Sequence, residues 1–354
     1  MFLQDHKMNS ITITKPDDFH LHLRDGDAMA SVVNHSAKIF SRAMIMPNIV
    51  PPVTSVDAAL EYKDRIMSAV NIEGFTPLMT LYLTENTTPE ELVRAKDLGF
   101  AAVKYYPAGA TTNSDQGVSA IENCSLVLNQ LQDIGLPLSI HCEVTDPEVD
   151  VFDREKVFID RELKFLTEHF PQLRIVCEHA TTKEMVQFVE RTGPNIACTI
   201  TAHHLFITRS DIFNGGLNPH NYCLPVAKTA EDKKALIAAA TSGNPKFFAG
   251  TDSAPHPIEN KVKAGGSAGI YTAATALELY CQAFHNAGSL HKLEAFTSFY
   301  GADYYGVDRN KQKIALTKEK QTIPFSFPFG DSVVVPFMAG QEIEWKITNF
   351  NKKI

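Results

Sequence analysis

The chain has no apolar run approaching the roughly 18 residues that a membrane-crossing helix needs, which speaks against a spanning protein. Its first ten residues, Met1 to Ser10, are polar and charged and lack the apolar core of a secretory signal, so a cytoplasmic location is expected. It has no C-x-x-C pair. The six cysteines (Cys124, Cys142, Cys177, Cys198, Cys223, Cys281) are scattered, mostly in apolar segments, which fits buried reduced thiols better than disulfides or a thiolate zinc site. Positive charge is in short supply: 33 Lys and Arg against 41 Asp and Glu leave a net charge of -8, with no local basic cluster to offset it. Nucleic acid and anionic membranes are therefore not expected partners, and an anionic substrate has to be attracted from within a site.

What is present is a globular composition, 44% hydrophobic and 21% charged over 354 residues, enough for one barrel-sized domain or two ordinary ones. Short β-rich runs recur at Ile11 to His22, Ala43 to Pro47, Thr76 to Leu83, Ala101 to Tyr105, Leu138 to His141, Arg174 to His179, Asn195 to Thr201 and Lys246 to Asp252. Helical patterns lie between them, among them Val56 to Val70, Pro89 to Leu98, Ile121 to Ile134, Asp153 to His169, Thr182 to Thr192 and Ala230 to Ser242, several opening on a Ser, Thr or Asp cap or an early proline. Alternation on this scale predicts an α/β fold, a (β/α)8 TIM barrel. A doubly wound open sheet is the alternative, but no Gly-rich phosphate loop follows the first strand. A Gly-rich loop at Gly265, Gly266 and Gly269 and helices over Thr272 to Gly288 and Leu290 to Tyr300 come next. Residues 1–354 then read as a single barrel domain, with C-terminal strands at about 320–350 packed on it.

Polar residues end these strands: His20 and His22 the first, Asn48 the second, Lys104 the fourth, His141 the fifth, His179 the sixth and Asp252 the eighth. In such barrels the C-terminal rim builds the active site, so these residues converge. In a strand, positions i, i+2 and i+4 leave from one face, so His20, His22 and Arg24 are expected to point together. Neutral imidazoles suit a divalent metal and a guanidinium suits a carboxylate. By spacing alone Lys104 reads as a rim lysine. The chemistry that reconciles it with metals is reaction of a neutral amine with carbon dioxide, which turns a cation into a bidentate anion.

The segments His20-Leu21-His22-Leu23-Arg24, Met46-Pro47-Asn48, Lys104 to Asn113 (KYYPAGATTN), His141, Glu178-His179, Cys223-Leu224-Pro225 and Gly250 to His256 (GTDSAPH) together resemble the dihydroorotase family, in its short bacterial-type branch within the amidohydrolase superfamily. The resemblance covers nearly the whole chain, in order. It implies two Zn2+ per subunit: His20, His22 and Asp252 on one, His141 and His179 on the other, and carboxylated Lys104 (N6-carboxylysine, from CO2) bridging both with a hydroxide. It implies that Arg24, Asn48 and His256 bind the substrate carboxylate, that backbone groups of Leu224 and Ala268 contact the ring, and that His22 and His141 border the substrate too. The implied reaction is the reversible cyclisation of N-carbamoyl-L-aspartate to L-dihydroorotate plus water, a step of pyrimidine biosynthesis, with Asp252 as general acid and base and a homodimer as the assembly.

Pro107 to Gly117 (PAGATTNSDQG) reads as a lid following Lys104, with Thr111 and Thr112 as hydrogen-bond donors to substrate and the glycines as hinges. His203 and His204, after the seventh strand, are expected on the rim beside the site. His6, His35, His169, His220, His285 and His291 are expected to be solvated, and Cys142 and Cys177 to serve packing. Two other functions fit parts of the pattern. Hydantoinases or allantoinases share the metal residues, but Arg24 and Asn48 anticipate a substrate carboxylate. A non-catalytic superfamily relative would have lost metal ligands, and here every one is present.

Overall fold

The computed structural model describes residues 8–349. Strand β1 (Ser10–Thr14) stands apart from the main sheet, which runs in chain order through β2 (Asp17–Leu21), β3 (Arg42–Ile45), β4 (Thr76–Tyr82), β5 (Ala102–Tyr105), β6 (Leu138–Ile140), β7 (Ile175–Cys177), β8 (Ile196–Ile200) and β9 (Phe247–Ala249). All neighbours pair in parallel, and the strands are almost wholly buried, as a sheet covered on both faces demands. The ends meet. Leu21 bridges Ser253, and the amides of His22 and Asp252 donate to Ser253 O at 3.1 Å and His20 O at 2.9 Å. The sheet is thus a (β/α)8 barrel, and the open-sheet alternative falls with that closure. Its helices start where side chains supply the missing acceptor: Ser55, Thr88, Thr182 and Thr229 each accept from the amide three residues on.

Two apolar clusters hold the barrel. The larger lies between strands and helices and includes Leu21, Ile45, Val103, Ile140, Cys177 and Ile200. The smaller takes the alternate strand positions Met44, Met46, Ala102, Val176, Ala197 and Phe248 together with Phe19, and is covered by Tyr304 and Tyr305 from a helical turn. Ala102 precedes Lys104 by two residues, so Lys104 stands on the face this cluster fills. Between Asp18 and Leu21 the pairing with β3 slips, three residues of β2 opposing two of its neighbour. This bulge explains how Phe19 joins the inner cluster while His20, its immediate neighbour, still reaches the metal residues.

The expected single strand from Ile11 to His22 is two strands. The chain breaks at Lys15 and Pro16, and β1 pairs instead with β10 (Lys313–Thr322), which pairs in turn with β13 (Glu342–Asn349). A short hairpin, β11 (Phe327–Phe329) and β12 (Ser332–Val334), completes the extension. The added sheet therefore begins at Lys313, earlier than its pattern suggested, because the second half of β10 is partly exposed and its sequence polar. The helix Ala276–Asn286 packs against this sheet: Gln282 accepts from the Glu344 amide at 3.0 Å, and the His285 ring meets Trp345 edge-on. His285 is buried and not solvated as expected, and His35 is half-buried, 2.5 Å from Tyr271 OH. His220 is half-buried as well, whereas His169 and His291 are exposed; His6 lies outside the described residues. For His35 and His285 the partner comes from a distant part of the chain. Among the described residues no helix is long and apolar enough to cross a membrane.

Glu278, in the same helix, is buried, its Oε2 has no hydrogen-bond partner, and burial pushes its carboxyl up to about 7. A folded-state pKa above the unfolded value near 4.3 means that its contribution is fully present below the unfolded value and is lost as pH rises through 7. Glu278→Gln is expected to stabilise the fold at pH 8 by on the order of 3 kcal/mol, seen as a higher thermal midpoint, with a smaller gain at pH 5. Equal gains at both pH values in scanning calorimetry would remove the carboxyl's ionisation as the cause.

Candidate metal centre

The candidate ligands occupy the C-terminal ends of the barrel strands. His20 lies within β2 and Lys104 within β5, while His141 follows β6 directly, His179 stands two residues past β7 and Asp252 three past β9. Arg24, His179 and Asp252 adopt left-handed backbone with φ of 68°, 43° and 46°, a conformation that costs a residue with a side chain roughly 1–3 kcal/mol. The surroundings enforce it. The His179 amide donates to Thr199 Oγ1 at 2.7 Å, and the Asp252 amide is fixed on His20 O. Gly250, just before, has no room for a side chain, since a Cβ there would lie 2.9 Å from Thr199 and 3.1 Å from His20. His20 and His22, two residues apart, do converge, whereas β2 ends at Leu21 and Arg24 adopts a left-handed turn and not the strand conformation that alternation assumed.

His20 Nε2 and His22 Nε2 lie 3.3 Å apart, and Asp252 Oδ1 is 3.4 Å from the first and 3.1 Å from the second. The His179 ring centroid is 5.0 Å from that of His20 and 4.9 Å from that of His141. Lys104 is fully buried with no hydrogen-bond partner for Nζ, and the amine lies 4.7 Å from the centre of the Tyr106 ring. Carboxylates aim the imidazoles from behind. Glu178 Oε2 lies 2.9 Å from His20 Nδ1, leaving Nε2 for the site, and Glu143 Oε2 lies 2.9 Å from His141 Nε2, leaving Nδ1. Asp18 accepts from Thr251 N (2.8 Å), Thr251 Oγ1 (2.6 Å) and His20 N (3.1 Å), binding β2 to the Asp252 segment.

Burial sets the electrostatics. It lowers the pKa of His20 and pushes those of His22 and His179 far down, which keeps all three imidazoles neutral and able to ligate. It brings Lys104 down to about 8 and raises Asp252, against which the surrounding imidazoles and Lys104 act. A buried amine without a partner, ringed by neutral imidazoles and an acidic carboxyl, is costly unless something satisfies it. The donor set of nitrogen and oxygen atoms fits divalent-cation binding, and the unsatisfied His179 Nδ1 is an atom that ligation would satisfy.

A small cavity adjoins this cluster, lined by His22, Arg24, Asn48, Thr111, Thr112, Leu224, Asp252, Ala254, Ala268 and Gly269. Arg24 Nε donates to Pro255 O at 2.9 Å, and its Nη2 lies 2.9 Å from His256 Nε2, which is also 2.9 Å from Ala268 O. Desolvation takes His256 down to about 2, so it is a neutral imidazole. The 107–117 loop closes one side: Asn48 donates to Thr112 O (2.9 Å), Asn113 donates to Asn48 O (3.0 Å), and Thr112 Oγ1 reaches Ala268 O at 3.4 Å. His203 and His204 are buried behind the rim with Cys223, where His204 Nε2 and Cys223 Sγ share Pro225 O. A larger surface cavity around Phe206, Asn218 and Phe337 contains a single acid, Asp211, already engaged by Thr208, and none of the metal residues.

Among residues singled out by sequence, the structure gathers His20, His22, Lys104, His141, His179 and Asp252 in one cluster and Arg24, Asn48, Thr111, Thr112, Leu224, His256 and Ala268 around the adjoining cavity. Sequence reasoning missed Asp18, Glu143 and Glu178 as orienting groups. Glu178 was readable from its place beside His179, and Asp18 and Glu143 from lying two residues from a ligand.

A family model described as "Amidohydrolase family" matches residues 14–340 of the chain. A dihydroorotase from a Picosynechococcus species is 55% identical over 341 residues, 96% of this chain and 99% of its own length. A crystal structure of dihydroorotase from Campylobacter jejuni superposes with a TM-score of 0.89 at 37% identity, covering 97% of this chain and 98% of that one. The Saccharomyces cerevisiae dihydroorotase solved with 5-fluoroorotic acid reaches the same TM-score at 34% identity, over 96% and 99%.

Proposed function

The chain belongs to the amidohydrolase family and within it to the dihydroorotases, and from that premise we propose a mechanism for the interconversion of L-dihydroorotate and N-carbamoyl-L-aspartate at this centre. The observation that carries it is a partnerless buried amine, Lys104, in the cluster where His20, His22 and Asp252 converge and the His179 ring stands between those of His20 and His141, beside a cavity that Arg24 lines with His256 against it.

His20, His22 and Asp252 would hold one ion and His141 and His179 the other, with Lys104 carrying a CO2-derived carboxyl group between them; formation of its N–C bond releases one proton. Two divalent ions, zinc by resemblance, supply when bound a water of near-neutral pKa and polarisation of the attacked carbonyl. In ring opening Asp252 takes a proton from the attacking water and gives it to the departing ring nitrogen; the amide C–N bond breaks and the water oxygen enters the new carboxylate. Ring closure reverses these transfers. Arg24, Asn48 and His256 bind the carboxylate that both substrates carry. A single His256 nitrogen cannot accept from Arg24 and donate to Ala268 O at once, and a carboxylate taking the guanidinium removes that conflict. Backbone groups of Leu224 and Ala268 meet the ring. The reading includes a homodimer in solution and a cytoplasmic location.

The test is an ultraviolet assay of dihydroorotate hydrolysis by zinc-loaded protein, with hydantoin and allantoin as rival substrates. Turnover of dihydroorotate is expected. Turnover of a rival alone would overturn the roles of Arg24, Asn48 and His256, and purified protein without bound metal would favour a binding protein. The loop adds a further expectation: Thr111→Ala combined with Thr112→Ala lowers kcat/KM by roughly 10–100-fold with zinc content unchanged, the scale of one or two lost hydrogen bonds to an ionised substrate. Unaltered kinetics would reduce 107–117 to an ordinary surface loop.

A further inference from the structure

Lys261 has no place in the mechanism above, yet it is buried and all its donors are in use. From the short helix Ile258–Val262 its ammonium donates to three backbone carbonyls: Tyr222 O at 2.8 Å, Ser267 O at 2.9 Å and Gly269 O at 2.7 Å. The first belongs to the loop after β8 that carries Leu224. The other two flank Ala268, in the loop after β9. We propose that Lys261 is a positioning residue whose ammonium locks together the two backbone segments that contact the substrate ring, and so sets affinity for the ring and not the chemistry at the metals. This rests on the functional reading above, which assigns Leu224 and Ala268 to the ring.

Three carbonyl oxygens converging on one point repel each other unless a cation sits among them, and a compact ammonium with three rotatable protons is the side-chain group that satisfies all three. The Gly269 amide adds a 3.0 Å bond to Tyr222 O, so the two segments are joined twice. The second segment has little freedom elsewhere: a Cβ on Gly269 would stand 2.7 Å from Ala254 O and 2.9 Å from the His256 ring. Ala268 O is also where His256 and the Thr112 hydroxyl come to rest. Lys261 thus acts on the carboxylate site, the ring site and the lid through one stretch of backbone, while its three hydrogen bonds go to backbone carbonyls and not to His20, His22, Lys104, His141, His179 or Asp252.

The test is steady-state hydrolysis of dihydroorotate by zinc-loaded Lys261→Met and Lys261→Ala, with zinc counted in each and Lys261→Ala repeated in ethylammonium chloride. Lys261→Ala vacates the volume of the lysine stem beside a small cavity bordered by His220, His256 and Tyr271, and the cation is expected to occupy it. The expected result is a KM raised by roughly tenfold or more with kcat within about threefold, two zinc ions retained, and a KM that falls again with ethylammonium but not with sodium chloride. An unchanged KM, equal losses in kcat and kcat/KM, lost zinc, or no response of Lys261→Ala to ethylammonium each overturns the proposal. Wild-type protein that fails to turn over dihydroorotate overturns the functional reading instead, so the two failures are told apart.

Discussion

Replacing Lys104 with methionine is expected to cut dihydroorotate turnover by at least roughly 10³-fold, about 4 kcal/mol of transition-state stabilisation, and to lower the zinc bound per chain. Methionine matches the lysine stem in volume and removes a fully buried amine that no protein group satisfies. Taking away such a group relieves a desolvation cost, so the metal-free variant should unfold at the same temperature as metal-free wild type or higher. Loss of activity with unharmed folding is the signature of a ligand and not of a packing residue. Near-normal turnover, or a lowered midpoint in the metal-free state, would take Lys104 out of the centre. Growth in carbon-13 bicarbonate supplies an independent readout, a carbamate carbon resonance present in wild type and missing from the variant.

Asp252→Asn keeps shape and neutral hydrogen bonding but cannot relay a proton, and its kcat should fall by roughly 10³–10⁴ with a much smaller change in KM. The pH dependence carries the sharper expectation. Burial raises the Asp252 carboxyl while His20, His141 and Lys104 oppose that shift. Ring opening needs the carboxylate, so its rate rises with pH through the Asp252 pKa; ring closure needs the acid, so its rate falls through the same value. Both limbs should vanish in the variant. A variant that retains them would move the proton relay to another group.

The barrel was legible because parallel strands covered on both faces write themselves as short apolar runs, and the ligands were legible because each run ends on a polar residue. Local geometry was not. Within Ile11 to His22 Pro16, which cannot donate to a ladder, is the local sign of the break, but the pairing of β1 is set by β10, some three hundred residues later in sequence. The bulge in β2 and the left-handed turns at Arg24, His179 and Asp252 likewise depend on neighbours from other strands. His35 and His285 looked solvated for the same reason: Tyr271 and Trp345, which cover them, are distant in the chain. Lys261 escaped notice because three backbone carbonyls leave no trace in a residue pattern.

The closure between β2 and the segment after β9 is also a clasp. Asp18 and Thr251, 233 residues apart, are bonded across it, and His20, His22 and Asp252 face one another at the same place. An ion gripped by those three side chains would pin the two ends of the longest loop in the barrel, and because the open chain cannot offer that grip, its binding free energy adds to the stability of the ring. Loading with metal and keeping the barrel shut would then be coupled equilibria, and a chelator would weaken the fold at this one joint.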